Sequence, residues 1–383
     1  MRMNSMSAIL SLTDGSNQDL KPLTRVRPIA SLPFAARYRA IDFALSNISH
    51  AGIDSVAIFI GGSGRSIYDH IRSGSTWDLE SRLRGGIVSY AQTYLKQRVD
   101  DEGFDERDFY KNHREFLEKS RTEFVVIGSG RMITKLDLVN LKDFHSIKNG
   151  DITVIYKNVP ADDVKGHHNE RVVDLNAAGD VKRLVPSDDW DFTEETVAQS
   201  LNIFVVSVNR MLEILDRAGR EGIQMDIDRL VAYYSQFYQA QGFEYTGPLW
   251  NLDSIKAYFQ ANMDLLDTKT YRDLFLRGNN VITKVKNEPP TYYSENCTIT
   301  KSIFATGSYI DGTVNNSMIF RRVQVGKGAE IHHSIVMQGS QIGEGAILEY
   351  CVLDKNVTVE PGAVIKGTKD NIVVIEKNRT VTA

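Results

Sequence analysis

Apolar runs alternate with amphipathic stretches through the first two thirds of the chain. Residues 7–12 (SAILSL) are a continuous apolar run that predicts a buried strand, and a polar loop with Asp14, Gly15 and Asn17 follows it. From Arg39 to His50 the apolar positions Ala40, Ile41, Ala44, Leu45 and Ile48 recur every three to four residues, which predicts a helix with one buried face, ended at Ala51-Gly52. SVAIFI (55–60) is the next strand. The alternation returns as EFVVIG (123–128), a helix over 136–150 closed by Gly150, and DITVIYK (151–157). RVVDL and VKRLV flank the turn 176–180 as a hairpin. LNIFVVS (201–207) is a strand running into the helix VNRMLEILDRAG, and a helix over 253–267 has Asp253 or Ser254 at its cap. Residues 1–266 therefore predict one α/β domain with a mostly parallel sheet, interrupted by a charged insertion near 96–121.

Beyond residue 290 the period changes, with 267–290 read as a linker. Shifting the chain by 17 superposes Ile319, Val336 and Leu353; Val314, Ile331, Leu348 and Ile365; Val325, Ile342 and Val359; and Gly328, Gly345 and Gly362. A repeat of that length, with three short strands and glycines at the corners, predicts a left-handed parallel β-helix over 291–383.

Composition narrows the function classes. The formal charge of −4 gives no support for a nucleic-acid partner. No apolar run reaches the roughly 18 residues of a membrane span. Cys297 and Cys351 make neither a metal clip nor a disulfide framework, so the expectation is a cytoplasmic protein. His332 and His333 are read as strand neighbours facing opposite sides, and Tyr233, Tyr234, Phe237 and Tyr238 as an aromatic stripe that packs in a core or at an interface.

The segments PFAARYRAIDFALSN (33–47), WDLESR (77–82), EFVVIGSG (123–130), ANMDLL (261–266) and DKNVTVEPGAVI (354–365) resemble the glucose-1-phosphate adenylyltransferases of glycogen and starch synthesis across nearly the whole chain. The resemblance implies a Rossmann-like nucleotidyltransferase domain followed by the β-helix. It also implies tetramers that join ATP to glucose 1-phosphate with release of pyrophosphate. Such chemistry needs a glycine-rich loop against the phosphates and carboxylates that hold Mg²⁺.

The positions that carry this chemistry in the family are altered here. SLTDGSNQDL (11–20) has one glycine where the family has three. Arg131 falls on a metal-binding Asp, and Gln224 with Met225 on the second metal carboxylate's segment. Val185 falls on the lysine that grips the sugar phosphate, Ile29 on a lysine ahead of the Pro-Phe pair, and Asn251 on a basic residue after the tryptophan. DERDFYKNHRE (105–115) stands where a Gly-Thr-Ala-Asp-Ala segment is expected. No catalytic residue, metal or cofactor is therefore assigned to this chain, and Mg²⁺ and ATP are expected at a catalytic partner.

By contrast, Lys21, Arg25, Arg27, Arg37 and Arg39 fall in one stretch without an acidic residue. The resemblance places an allosteric anion site at Arg27 and Arg39. Convergent guanidiniums suit a phosphorylated effector, and salt bridges are the competing reading. The expected role is a regulatory, catalytically silent subunit in a heterotetramer with two chains of each kind. The alternatives are a divergent active enzyme, which would need Asp226, Asp228 or Asp253 to reach a metal, and a non-enzymatic sugar-nucleotide sensor or scaffold.

Overall fold

The computed structural model describes residues 5–13, 19–62, 64–80, 85–92 and 109–383. The loop residues Asp14, Gly15 and Asn17, the residues 105–108 of the altered segment and much of the charged insertion lie outside them. Contacts divide the chain into two compact units, Met1–Gly15 with Ala44–Gly247, and Ser16–Phe43 with Pro248–Ala383. This grouping differs from a linear division at 266 and 291, because residues 16–43 and 248–290 contact the solenoid's own unit. The stretch 267–290 also contains the helix Thr268–Phe275.

In the first unit a mixed sheet has the spatial order Gly86–Ala91, Ser55–Ile60, Met6–Leu12, Phe124–Ser129, Thr196–Ser207, Ile152–Pro160, Ala240–Glu244, Asp180–Pro186 and Arg171–Leu175. The four strands from Gly86–Ala91 to Phe124–Ser129 are parallel; three of them coincide with the apolar runs of the sequence, whereas the partly exposed edge strand Gly86–Ala91 has no such run. Thr196–Ser207 then runs antiparallel to both its neighbours. Its register shifts between Ser200 and Phe204, and inside that bulge Asn202 is fully buried at φ +51. The helix Val208–Glu221 follows at once, its first turn capped by the Ser207 hydroxyl, which accepts from the Arg210 N–H. The helix expected to close at Gly150 spans Leu138–Lys148 and closes at Asn149, whose φ of +53 an asparagine tolerates.

The core of this unit joins Ile9, Phe59, Val125, Phe204, Met211 and Tyr234. The aromatic stripe divides: Tyr234 is fully buried and its hydroxyl donates to Glu221, whereas Tyr233 and Phe237 are exposed. His113 stacks on Phe59 inside the core, and burial lowers its pKa to about 3.

In the second unit residues 292–381 wind into a triangular left-handed β-helix with three parallel sheets. Ile319, Val336 and Leu353 pair on successive coils, as do Val314, Ile331, Leu348 and Ile365, in the register that the 17-residue repeat predicts. All seven are buried. Gly328 sits at φ +65 with open space where a Cβ would lie, so its corner demands the left-handed conformation rather than room. The two histidines are not strand neighbours. The strand ends at His332, and His333 turns the corner at φ +43, stacked 4.8 Å from Tyr350 at the equivalent corner of the next coil.

Candidate functional site

In the first unit, Arg131, Val185 and Gln224 stand where the resemblance implies metal and sugar-phosphate contacts. Arg131 follows the strand Phe124–Ser129, and its guanidinium donates to the Asn169 carbonyl at 3.0 Å. Val185 is a buried strand residue paired with Val172, an apolar contact where the resemblance implied a lysine. Gln224 is half-buried, and both of its amide atoms lack hydrogen-bond partners among the described residues. Next to it the Tyr110 hydroxyl bridges the backbone of Met225, donating to the carbonyl and accepting from the N–H, each at 3.0 Å.

Asp226 and Asp228 begin the helix Ile227–Tyr234, where a carboxylate complements the helix dipole. Among the described residues no group of three His, Cys, Asp or Glu side chains is placed to hold a metal ion. A fixed cation at residue 131 and an amide at 224 are the wrong donor set for Mg²⁺, which takes oxygen ligands and favours carboxylates. In the second unit, Ile29 is buried in the short 3₁₀ turn Ile29–Ser31 and Asn251 is half-buried in the strand Trp250–Asn251, so neither position offers a cation.

The two sequence segments most specific to the resemblance serve structure. Pro33–Phe34 pairs with Tyr38–Arg39 around a tight turn in which Ala35 and Ala36 adopt φ of +50 and +60. Such backbone strain persists only where the surroundings enforce it. The Ala35 N–H donates to the buried Asn262 side chain at 3.0 Å, and the Tyr258 hydroxyl donates to the Pro33 carbonyl at 2.6 Å. Asn262 of ANMDLL thus holds the turn of PFAARYR, and Asp42 of the same segment accepts from the Arg39 N–H and the Thr283 hydroxyl. Asn47 secures another loop, accepting from the Leu136 N–H and donating to the Thr134 carbonyl.

That hairpin positions Arg39 within a cluster of cations in the second unit. Arg27 is buried, donates through Nε to the Leu23 carbonyl at 2.8 Å, and pairs through Nη2 with the buried Asp354 at 2.8 Å. Lys355 is half-buried, and its pKa is lowered to about 7, first by burial and then by the charges of Arg39, Arg27 and Lys377, with Asp354 opposing. Three cations and one carboxylate are thus the charges that act most on Lys355. Arg25 lies at the rim, exposed and bridged to Glu376 at 2.7 Å. Lys21 and Arg37 are exposed.

The structure thus separates the expected arginines. Arg27 is committed to an internal salt bridge, the competing reading of this segment, while Arg39 joins two lysines. Sequence reasoning missed Lys355 and Lys377. The signal was present in DKNVTVEPGAVI, where Lys355 follows the carboxylate that Arg27 requires.

Two family descriptions match the chain, Nucleotidyl transferase over residues 9–268 and GlmU-like C-terminal hexapeptide over 290–371. The chain belongs to the nucleotidyl transferase family. Among members of it, the chain is similar to the glycogen biosynthesis protein GlgD of Geobacillus stearothermophilus, with 33% identity over 82% of this chain and 79% of that protein. It is also similar to the protein of that name from Bacillus subtilis (strain 168), with 28% identity over 86% and 83%. The glucose-1-phosphate adenylyltransferase of Clostridium novyi (strain NT) is 28% identical over 84% of this chain and 82% of that enzyme. No helix among the described residues is long and apolar enough to cross a membrane.

Proposed function

We propose that this nucleotidyl transferase family member acts in glycogen biosynthesis as a regulatory, catalytically silent subunit. It modulates a catalytic glucose-1-phosphate adenylyltransferase, which makes ADP-glucose and pyrophosphate from ATP and glucose 1-phosphate and holds the Mg²⁺ and ATP. The observation that carries this reading is the exchange of metal-binding chemistry for Arg131 and Gln224, while the cation cluster around Arg39 and Lys355 persists in the other unit. A phosphorylated metabolite held by that cluster would bias the partner's affinity through differential binding, with no catalytic group supplied by this chain. The assembly is a heterotetramer with two chains of each kind.

The test compares ADP-glucose formation by this chain, by the catalytic partner and by the reconstituted pair across phosphorylated effectors. The chain alone is expected to give none with Mg²⁺, and Arg131→Asp to restore none, since several contacts act together in one transition state. A changed effector response in the pair supports the regulatory reading. Turnover by the chain alone that is lost in Asp226→Asn or Asp228→Asn would establish the divergent-enzyme alternative instead.

A further inference from the structure

We propose that Arg131, Arg171 and Asn202 of the first unit form a metal-independent binding site for a phosphate monoester. Arg171 opens the strand Arg171–Leu175 opposite Pro186, one pair along from Val172 and Val185. It therefore brings a cation to the edge of the hairpin where the sequence lacks one at residue 185. Its Nη1 donates to Asn202 Oδ1 at 3.1 Å, one of the five donors that a guanidinium offers. Asn202 has no solvent exposure, the bulge fixes its backbone, and its Nδ2 donor has no partner among the described residues. Among the described residues Arg131 is held by one bond to the Asn169 carbonyl, and its buried Nε has no partner.

Arg171 is acted on by the carboxylates of Asp228 and Glu170 and by the guanidiniums of Arg229 and Arg131. Glu170 also accepts from the Gln199 amide at 3.0 Å. Burial is the first cause that lowers the Arg171 pKa, and the neighbouring arginines act in the same direction. A fold that collects guanidiniums against their repulsion and leaves buried N–H groups unmatched is stabilised by a ligand that brings negative charge and acceptors. A phosphate monoester supplies two charges and three terminal oxygens, enough for both guanidinium forks and the amide, whereas a carboxylate has two oxygens. No metal is needed, because the arginines occupy its electrostatic role.

Inorganic phosphate and glucose 6-phosphate are titrated calorimetrically into the full chain carrying Arg39→Ala and Lys355→Ala, in EDTA, which removes two of the cations of the second unit's cluster and leaves the first unit unaltered. Saturable binding of both is expected, weakened at least tenfold by Arg131→Gln and by Arg171→Gln. If circular dichroism shows that Arg171→Gln is unfolded, Arg131→Gln decides, since Arg131 makes a single hydrogen bond among the described residues. Binding that requires Mg²⁺, that chloride abolishes at equal ionic strength, or that the folded arginine variants leave unchanged overturns the proposal. So does the absence of binding at millimolar phosphate. None of these outcomes depends on whether the chain regulates a partner.

Discussion

Arg27 and Asp354 are 327 positions apart in the chain and 2.8 Å apart in space, an ion pair with side chains only 4% and 3% exposed. Removing one member of a buried pair strands the other charge, at a cost of about 3–5 kcal/mol. Arg27→Ala is therefore expected to lower the unfolding midpoint strongly. Arg39→Ala is expected to leave it nearly unchanged and to weaken a phosphorylated effector by about 10- to 150-fold, the equivalent of losing one charge-assisted hydrogen bond of roughly 1.5–3 kcal/mol. Denaturant titration and effector titration of each single variant separate these roles. Equal stability losses in both would make Arg39 structural as well.

Lys355 gives the cluster a pH signature. Its folded pKa of about 7 lies below that of the unfolded chain, about 10.4, so its charged form is penalised in the fold. Between these values the unfolded chain binds more protons, and this residue's contribution to stability rises as the pH rises from about 7 to 10. Below pH 7 the penalty is fully present, and a bound anion relieves it. Phosphate is thus expected to raise the melting temperature more at pH 6 than at pH 8.5, and Lys355→Met to remove that difference. An identical phosphate response at both pH values in the parent would count against Lys355 as an anion contact.

Acid destabilises the first unit through His113. Neutral in the core with a pKa near 3, against an unfolded value of about 6.5, it contributes stability that is present above pH 6.5 and lost as the pH falls toward 3. Each pH unit within that window is worth about 1.4 kcal/mol for a single proton. His113→Phe, which keeps an aromatic ring on Phe59, is expected to flatten the fall in unfolding free energy between pH 6 and 4. A slope as steep as the parent's would place the acid sensitivity elsewhere, with buried His145 the next residue to test.

The solenoid register predicts a contrast between two charges. Val336 is fully buried between Ile319 and Leu353, whereas Lys327 is exposed at a corner. An unpaired carboxylate inside the stack costs several kcal/mol. Val336→Asp should abolish soluble folded protein or its assembly, and Lys327→Asp should melt within a degree or two of the parent. Parent-like melting of Val336→Asp would refute the inward stack.

How much of this was legible in the sequence depended on the range of the interaction. The 17-residue repeat determined the solenoid's register residue by residue, because each coil stacks on the next and the same side-chain direction must recur. The apolar runs and the hairpin likewise located most strands of the sheet but not Gly86–Ala91 or Ala240–Glu244, and the altered residues at 131, 185 and 224 were visible without coordinates. The strand Thr196–Ser207 was foreseen only over 201–207 and not in direction, since an apolar run buried on both faces reads alike in parallel and antiparallel pairing. Tertiary structure alone decided which cations serve which purpose. Arg27 and Arg39 belong to one basic stretch, yet Asp354 neutralises the first and Lys355 crowds the second. Both partners come from a coil more than three hundred residues away, brought there by chain folding that no local pattern encodes.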